Sequence, residues 1–148
     1  MKLFLDTNVL LDYYTRREPF FRHAKLLWTA SFFGDVELWA SMQSFTDAEH
    51  ILRRAIPVQT LRAMMAASLE RLHVATASPQ DLADGMTSDW PDLEDFLIAR
   101  SALNEGADYL ITRDAEGFGA SRVPALTPER FFTMMEKEHG AVYDEEGL

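Results

Sequence analysis

Cysteine is missing from the sequence altogether. That excludes a disulfide scaffold, a thiol nucleophile and a thiolate zinc site, and leaves the redox compartment open. Long apolar runs are missing as well. No stretch reaches the roughly 20 residues that cross a bilayer, and Asp6 interrupts the first apolar run before a signal-peptide core can form. The expectation is a soluble cytoplasmic protein that engages no membrane. Positive charge is scarce: 14 lysines and arginines face 24 acids, for a net charge of −10. Such a balance opposes the simplest kind of nucleic-acid binder, which gains affinity by neutralising phosphates. The basic residues are gathered, however, in Arg16, Arg17, Arg22, His23 and Lys25, and again in Arg53 and Arg54. An acidic chain with local basic patches keeps a nucleic-acid function open. His23, His50, His73 and His139 show neither metal-ligand spacing nor a place in a Ser/His/Asp arrangement.

What is present suits one compact domain. Of 148 residues, 47% are hydrophobic, enough for a sizeable core. The apolar run at 2–5 reads as a buried strand ending at Asp6, followed by a short helical segment from Val9 to Tyr14. Phe20 to Phe33 reads as an amphipathic helix with Phe20, Ala24, Leu27, Trp28 and Ser31 on one face, stopped by Gly34. A second strand falls at 36–40. The helix of 41–54 has Phe45, Ala48, Ile51 and Leu52 as its apolar face. Pro57 opens a further helix carrying Leu61, Met64, Met65, Ser68, Leu69 and Leu72. Strands are expected near 73–76, 109–112 and 123–126, with helices at 79–86 and 92–104. Thr127-Pro128-Glu129 starts a last helix carrying Phe131, Phe132 and Met135. Residues 1–135 form the expected domain and 136–148 an acidic, loose tail. Trp28, Trp39, Met64, Met65, Met134 and Met135 read as core. Strands alternating with helices imply a three-layer α/β fold around a parallel sheet.

Four acids stand out by position. Asp6 and Asp114 follow the ends of two expected strands. Asp47 lies early in the helix after the second strand, and Asp95 in the first turn of the helix after Pro91. Sites in parallel sheets collect outside the carboxyl ends of strands, where strand order reverses. Carboxylates brought together there raise one another's pKa unless a cation compensates, and all-oxygen ligands select Mg²⁺ or Mn²⁺. The matching chemistry is attack of metal-activated water on a phosphodiester. Asp6, Asp95 and Asp114 are the expected metal ligands, with Asp47 a fourth catalytic candidate. Thr7 and Thr112 either orient a carboxylate or make ordinary turn bonds, and Asn8 could do similar supporting work. Arg113 is either a phosphate contact or a solvated partner of nearby acids. Asp92 either joins the site or caps the helix that carries Asp95. Asp84, Asp89, Glu94 and Asp108 read as surface or loop acids.

These same residues carry a resemblance. LFLDTNVLLDYY (3–14) resembles the opening of PIN-domain nucleases, DLEDFLIARSALNEGA (92–107) their third acidic motif, and ADYLITRDAEGF (107–118) their late motif. The resemblance places the family's first, third and fourth acids on Asp6, Asp95 and Asp114. Its second acid is usually a glutamate some six residues after a serine. Ser41 and Asp47 take those places here, and aspartate shortens the reach by roughly 1.5 Å. Glu49 lies further round that helix and is the weaker substitute. A branch of the family is similar to this chain in Arg17-Glu18-Pro19-Phe20. The resemblance implies strand order 3-2-1-4-5, Mg²⁺- or Mn²⁺-dependent cleavage of RNA and frequent homodimers. Many small members of the family resemble toxins held by an antitoxin protein. Large residues between Tyr13 and Phe33 make the early helices the expected dimer surface.

Two other functions compete with an endoribonuclease. A metal-dependent phosphatase of the acid-rich α/β kind would want a second aspartate two residues after Asp6, where Asn8 stands. A PIN-like domain that binds RNA or protein without cutting is consistent with Asp47 and with the net charge.

Overall fold

A computed structural model describes residues 1–143 of the chain. Five strands form one parallel sheet in the order β3-β2-β1-β4-β5. They are β1 (Lys2–Leu5), β2 (Glu37–Ser41), β3 (Leu72–Ala75), β4 (Tyr109–Ile111) and β5 (Ala125–Leu126). Helices α1 (Thr7–Thr15) and α2 (Phe20–Phe32) connect β1 to β2, and α3 (Met42–Leu52) and α4 (Val58–Ser68) connect β2 to β3. The chain then returns through α5 (Pro79–Met86) and α6 (Leu93–Asn104) to β4 on the other side of β1. A single 3-10 turn at Glu116–Phe118 precedes β5, and α7 (Pro128–His139) follows it.

The period-two geometry of β1 builds two cores from one strand. Leu3 and Leu5 join Leu38, Ala40 and Ile111 beneath α1, α2, α3, α4 and α7, while Phe4 points the other way, with Leu110, Phe118 and Ile98, Ala99 and Ala102 of α6. All three β1 residues are fully buried. Phe4→Ala would therefore cost about 3–5 kcal/mol. Because β1 is central and the chain crosses to its other side before β4, the carboxyl ends of β1 and β4 lie where strand order reverses. Backbone pairing extends one residue past β1, where the Asp6 N–H donates to Ile111 O at 2.9 Å. That bond fixes Asp6 against the end of β4.

Helix boundaries follow local chemistry. Asp6, Ser41, Ser78, Asp92 and Thr127 each accept a backbone N–H at a helix start. Some expected faces are shifted. Phe20, Ile51 and Leu69 are exposed, and Thr29, Ala30 and Ser44 are buried instead. Ser68 lies on the buried face as expected, with a 2.7 Å bond to Tyr14 Oη. Trp39 is only partly buried; it stacks on His73 with Lys2 over its ring. The last helix runs beyond the expected boundary at 135, closing at Gly140 in the left-handed conformation. Tyr143 donates to Asp35 at 2.6 Å. The remainder of the expected acidic tail, 144–148, lies outside the described residues. No helix among the described residues is long and apolar enough to cross a membrane.

Candidate active site

Asp6 is the hub. It is nearly buried (7% exposed) and its carboxylate is held by two bonds at 2.7 Å, one from the Thr7 N–H to Oδ1 and one from the Thr112 hydroxyl to Oδ2. Thr112, at the end of β4, has its only proton committed to Asp6. Its oxygen therefore accepts from the Asp114 N–H at 3.0 Å and the Asn8 amide at 3.4 Å. Asn8 in turn accepts from the Arg113 N–H at 3.2 Å. Thr7, Asn8 and Thr112 thus bind the ends of β1 and β4 into one frame. Asp114 accepts from the Gly117 N–H at 3.2 Å. A Cβ at Gly117 would meet the Asp114 carboxylate, which would have to move to admit it.

Helix α6 supplies the facing acids. Asp92 caps it, accepting from the Asp95 N–H at 3.0 Å, so it acts as the cap. The pKa of Asp95 is pushed up to about 6 by burial and by the charges of Asp92, Asp6 and Asp114. Asp6 is pushed up as well, by burial first and by Asp114, against the bonds from Thr112 and Thr7 and the nearby Arg113. Asp6, Asp95 and Asp114 therefore lie within one another's electrostatic reach.

Helix α3 brings Asp47 to the other flank, where it meets Glu94. Glu94 was expected on the surface. It is exposed over much of its length, yet its Oε1 accepts from Thr7 Oγ1 at 3.3 Å. Its pKa is raised by burial, by the charge of Asp47 and by a hydrogen bond between the two carboxyls. Thr7 Oγ1 also meets the buried Ser44 Oγ at 2.7 Å. Since Thr7 has one hydroxyl proton, donation to Glu94 leaves Ser44 as the donor to Thr7. Glu49 is drawn away by two bonds from Arg62, at 3.0 and 2.7 Å. The sequence did contain a signal for Glu94, its place beside Asp95 in the first turn of a helix.

The contacts of Arg113 match its reading as a partner of nearby acids, and the acid it pairs with is Asp12. Its Nε lies 2.7 Å from Oδ2 of Asp12, and its guanidinium sits 4.5 Å from the Phe20 ring centroid. Asp12 is 2% exposed, with Oδ1 buried and lacking a hydrogen-bond partner. Burial pushes its pKa up despite Arg113 and Arg17. An acid inside the apolar run from Val9 to Tyr14 was the available sign of an inward pairing.

The donor set is oxygen throughout, which suits a hard divalent cation. The raised pKa values of Asp6 and Asp95 mark two carboxylates that a positive charge would stabilise. Among the described residues, no three histidine, aspartate or glutamate side chains form a ready-made metal-binding group. A cation here would rely on water for part of its shell, as Mg²⁺ commonly does.

A family model described as PIN domain matches residues 2–116. No curated protein matches the sequence. Among solved structures, a toxin–antitoxin complex from Klebsiella pneumoniae contains a chain of the same fold with a TM-score of 0.63 and 21% identity. The match covers 85% of this chain and 97% of that one. A chain of VapBC2 from Rickettsia felis, bound to a DNA fragment from its promoter, gives 0.63 at 15% identity over 86% and 98%. FitAcB from Neisseria gonorrhoeae gives 0.54 at 17% identity over 86% and 98%.

Proposed function

The chain belongs to the PIN-domain family, and from that premise we propose that it is an Mg²⁺- or Mn²⁺-dependent endoribonuclease, the toxin of a cytoplasmic toxin–antitoxin pair. What supports the reading is that Asp6, Asp95 and Asp114, at the ends of β1 and β4 and the start of α6, act on one another's charge, with Asp6 and Asp95 both raised in pKa. In this reading Asp6, Asp95 and Asp114 hold the cation, which supplies charge stabilisation at phosphate and lowers the pKa of bound water. The chain's own part is positioning. Thr112 and the Thr7 N–H fix both oxygens of Asp6, and Gly117 fixes Asp114. Asp47 and Glu94 flank the centre, and the raised pKa of Glu94 suits it to hold a proton near a leaving oxygen.

The toxin–antitoxin complex among the structures of the same fold supports an antitoxin partner. A homodimer through the early helices is part of the same proposal. Phe32 and Phe33 are 54% and 61% exposed at the end of α2, apolar surface of the kind an interface covers. Light scattering should report a dimer at micromolar concentration, and a monomer would remove that part.

A second reading, binding without cutting, draws on one observation, the lack of a ready-made metal-binding group among the described residues. One experiment divides the two. RNA is incubated with the protein in Mn²⁺ and in EDTA, alongside a phosphomonoester, while calorimetry follows ion binding. Cleavage of RNA alone, only with Mn²⁺, supports the nuclease. Failure to bind any divalent ion at millimolar concentration favours the binding module, and release of phosphate from the monoester favours a phosphatase.

A further inference from the structure

A cavity of about 310 Å³ lies between α6 and the segment after the 3-10 turn, lined by Trp90, Phe96, Arg100, Asn104, Ser121 and Arg122 among others. We infer that it is a subsite for one nucleotide of a single-stranded RNA, with Trp90 as stacking platform and Arg122 as phosphate contact; the inference rests on the ribonuclease reading.

The cavity lies along the helix that carries Asp95. Asp95 faces the acids and its neighbour Phe96 lines the cavity, while Gly117 supports Asp114 and its neighbour Phe118 meets Trp90. Trp90 is held by edge-to-face contacts with Phe96 and Phe118, at centroid distances of 5.9 and 6.2 Å. Its ring is thus fixed before any ligand arrives and remains partly exposed. A pre-ordered aromatic ring suits stacking with any base, because every base has a π face.

The two arginines play different parts. Arg100 is neutralised by Asp84 at 2.7 Å and Asp81 at 3.4 Å and lies over the Phe96 ring, so it is wall. Arg122 is exposed and makes no ion pair among the described residues. On a chain of net charge −10, a phosphate is repelled by most of the surface. An arginine that makes no ion pair among the described residues, on the same cavity as an aromatic ring, offers it a place to rest. The volume sits at the low end of small-ligand cavities, enough for a nucleotide unit rather than a helix.

The test is binding of a short fluorescent single-stranded oligoribonucleotide to the whole protein in EDTA, followed by anisotropy over a salt series. Arg122→Ala should weaken binding about tenfold at low salt and reduce the salt slope by about one ion, and Arg122→Lys should recover most of the loss. Trp90→Leu should weaken binding about tenfold with little change in slope. Arg62→Ala, which removes a charge elsewhere, should do neither. Should Trp90→Leu fail to fold by circular dichroism, the exposed Arg122 pair still decides. If the parent binds RNA and Arg122→Ala matches it in affinity and slope, the subsite is wrong and the ribonuclease reading survives. If the parent neither binds nor cuts RNA, both fall.

Discussion

Two groups of carboxylates on α6 and its neighbours differ in almost every physical respect. Around Arg100, Asp81 and Asp84 have partners for their charge. Asp81 accepts from the Ser78 N–H at 2.9 Å, from both Asn104 and Arg100, and closes a capping box with Ser78. These bonds hold the pKa values of Asp81 and Asp84 below the usual range. Around Asp6, the carboxylates have hydroxyls, backbone N–H groups and one another, and Asp6, Glu94 and Asp95 are all raised. Acids provided with cations stabilise a fold. Acids crowded together without one are held there by the surrounding fold against their own repulsion.

The sharpest way to break this contrast is to remove one charge from the crowded group. Asp6→Asn keeps size and shape, so Mn²⁺-dependent RNA cleavage should fall to the level of the blank while the circular dichroism spectrum is unchanged. Cutting at the parent rate by the folded variant would mean that Asp6 is not a ligand. The reciprocal change in the paired group should reverse the pattern. Asp81→Ala breaks the capping box with Ser78 and takes one of two acid partners from Arg100, and should cost about 1–3 kcal/mol of stability in urea titration with cleavage retained.

Titration separates the groups by sign. A raised pKa, as at Asp95, gives a contribution that is full below the ordinary carboxylate value and is lost as pH rises through about 6. A lowered one, as at Asp81 and Asp84, is full at neutral pH and is lost as pH falls below the ordinary value. The metal-free protein should therefore be more stable near pH 5 than near pH 7.5, by on the order of 1 kcal/mol given the solvent around Asp95. Asp95→Asn should flatten most of that slope in thermal melts, and a parent with no slope would contradict the crowding. The smallest effect is expected at the flank. Asp47→Asn should slow cleavage less than Asp6→Asn, because Glu94 still stands beside it; equal losses would make Asp47 a ligand in its own right.

Much of the fold was readable along the chain. The apolar run before Asp6, the Thr127-Pro128 helix start and the strand before Thr112 are local signals, and strand, cap and turn chemistry act locally. Asp6, Asp95 and Asp114 feel one another's charge because each follows a strand or begins a helix at the same sheet edge. Readings that depended on which side of a helix meets which neighbour fared less well. Ile51 lies outside and Ser44 inside, since α3 presents its hydroxyl face to Thr7. Glu94 and Asp95 are adjacent in sequence and look alike there. Only the approach of α1 and α3 assigns one to Thr7 and Asp47 and the other to Asp6 and Asp114.

By itself, then, the order of residues determined the elements, their parallel arrangement and the edge at which acids gather, because these follow from periodicity and capping within a few residues of each position. Tertiary structure decided which charges are partnered. Arg113 turns to Asp12 and Arg100 to Asp81 and Asp84, leaving the cluster at Asp6 without a full complement of positive charge. Electrostatic energy depends on distances and solvent exclusion between segments far apart in sequence, and those exist only once the sheet and its helices have closed around β1.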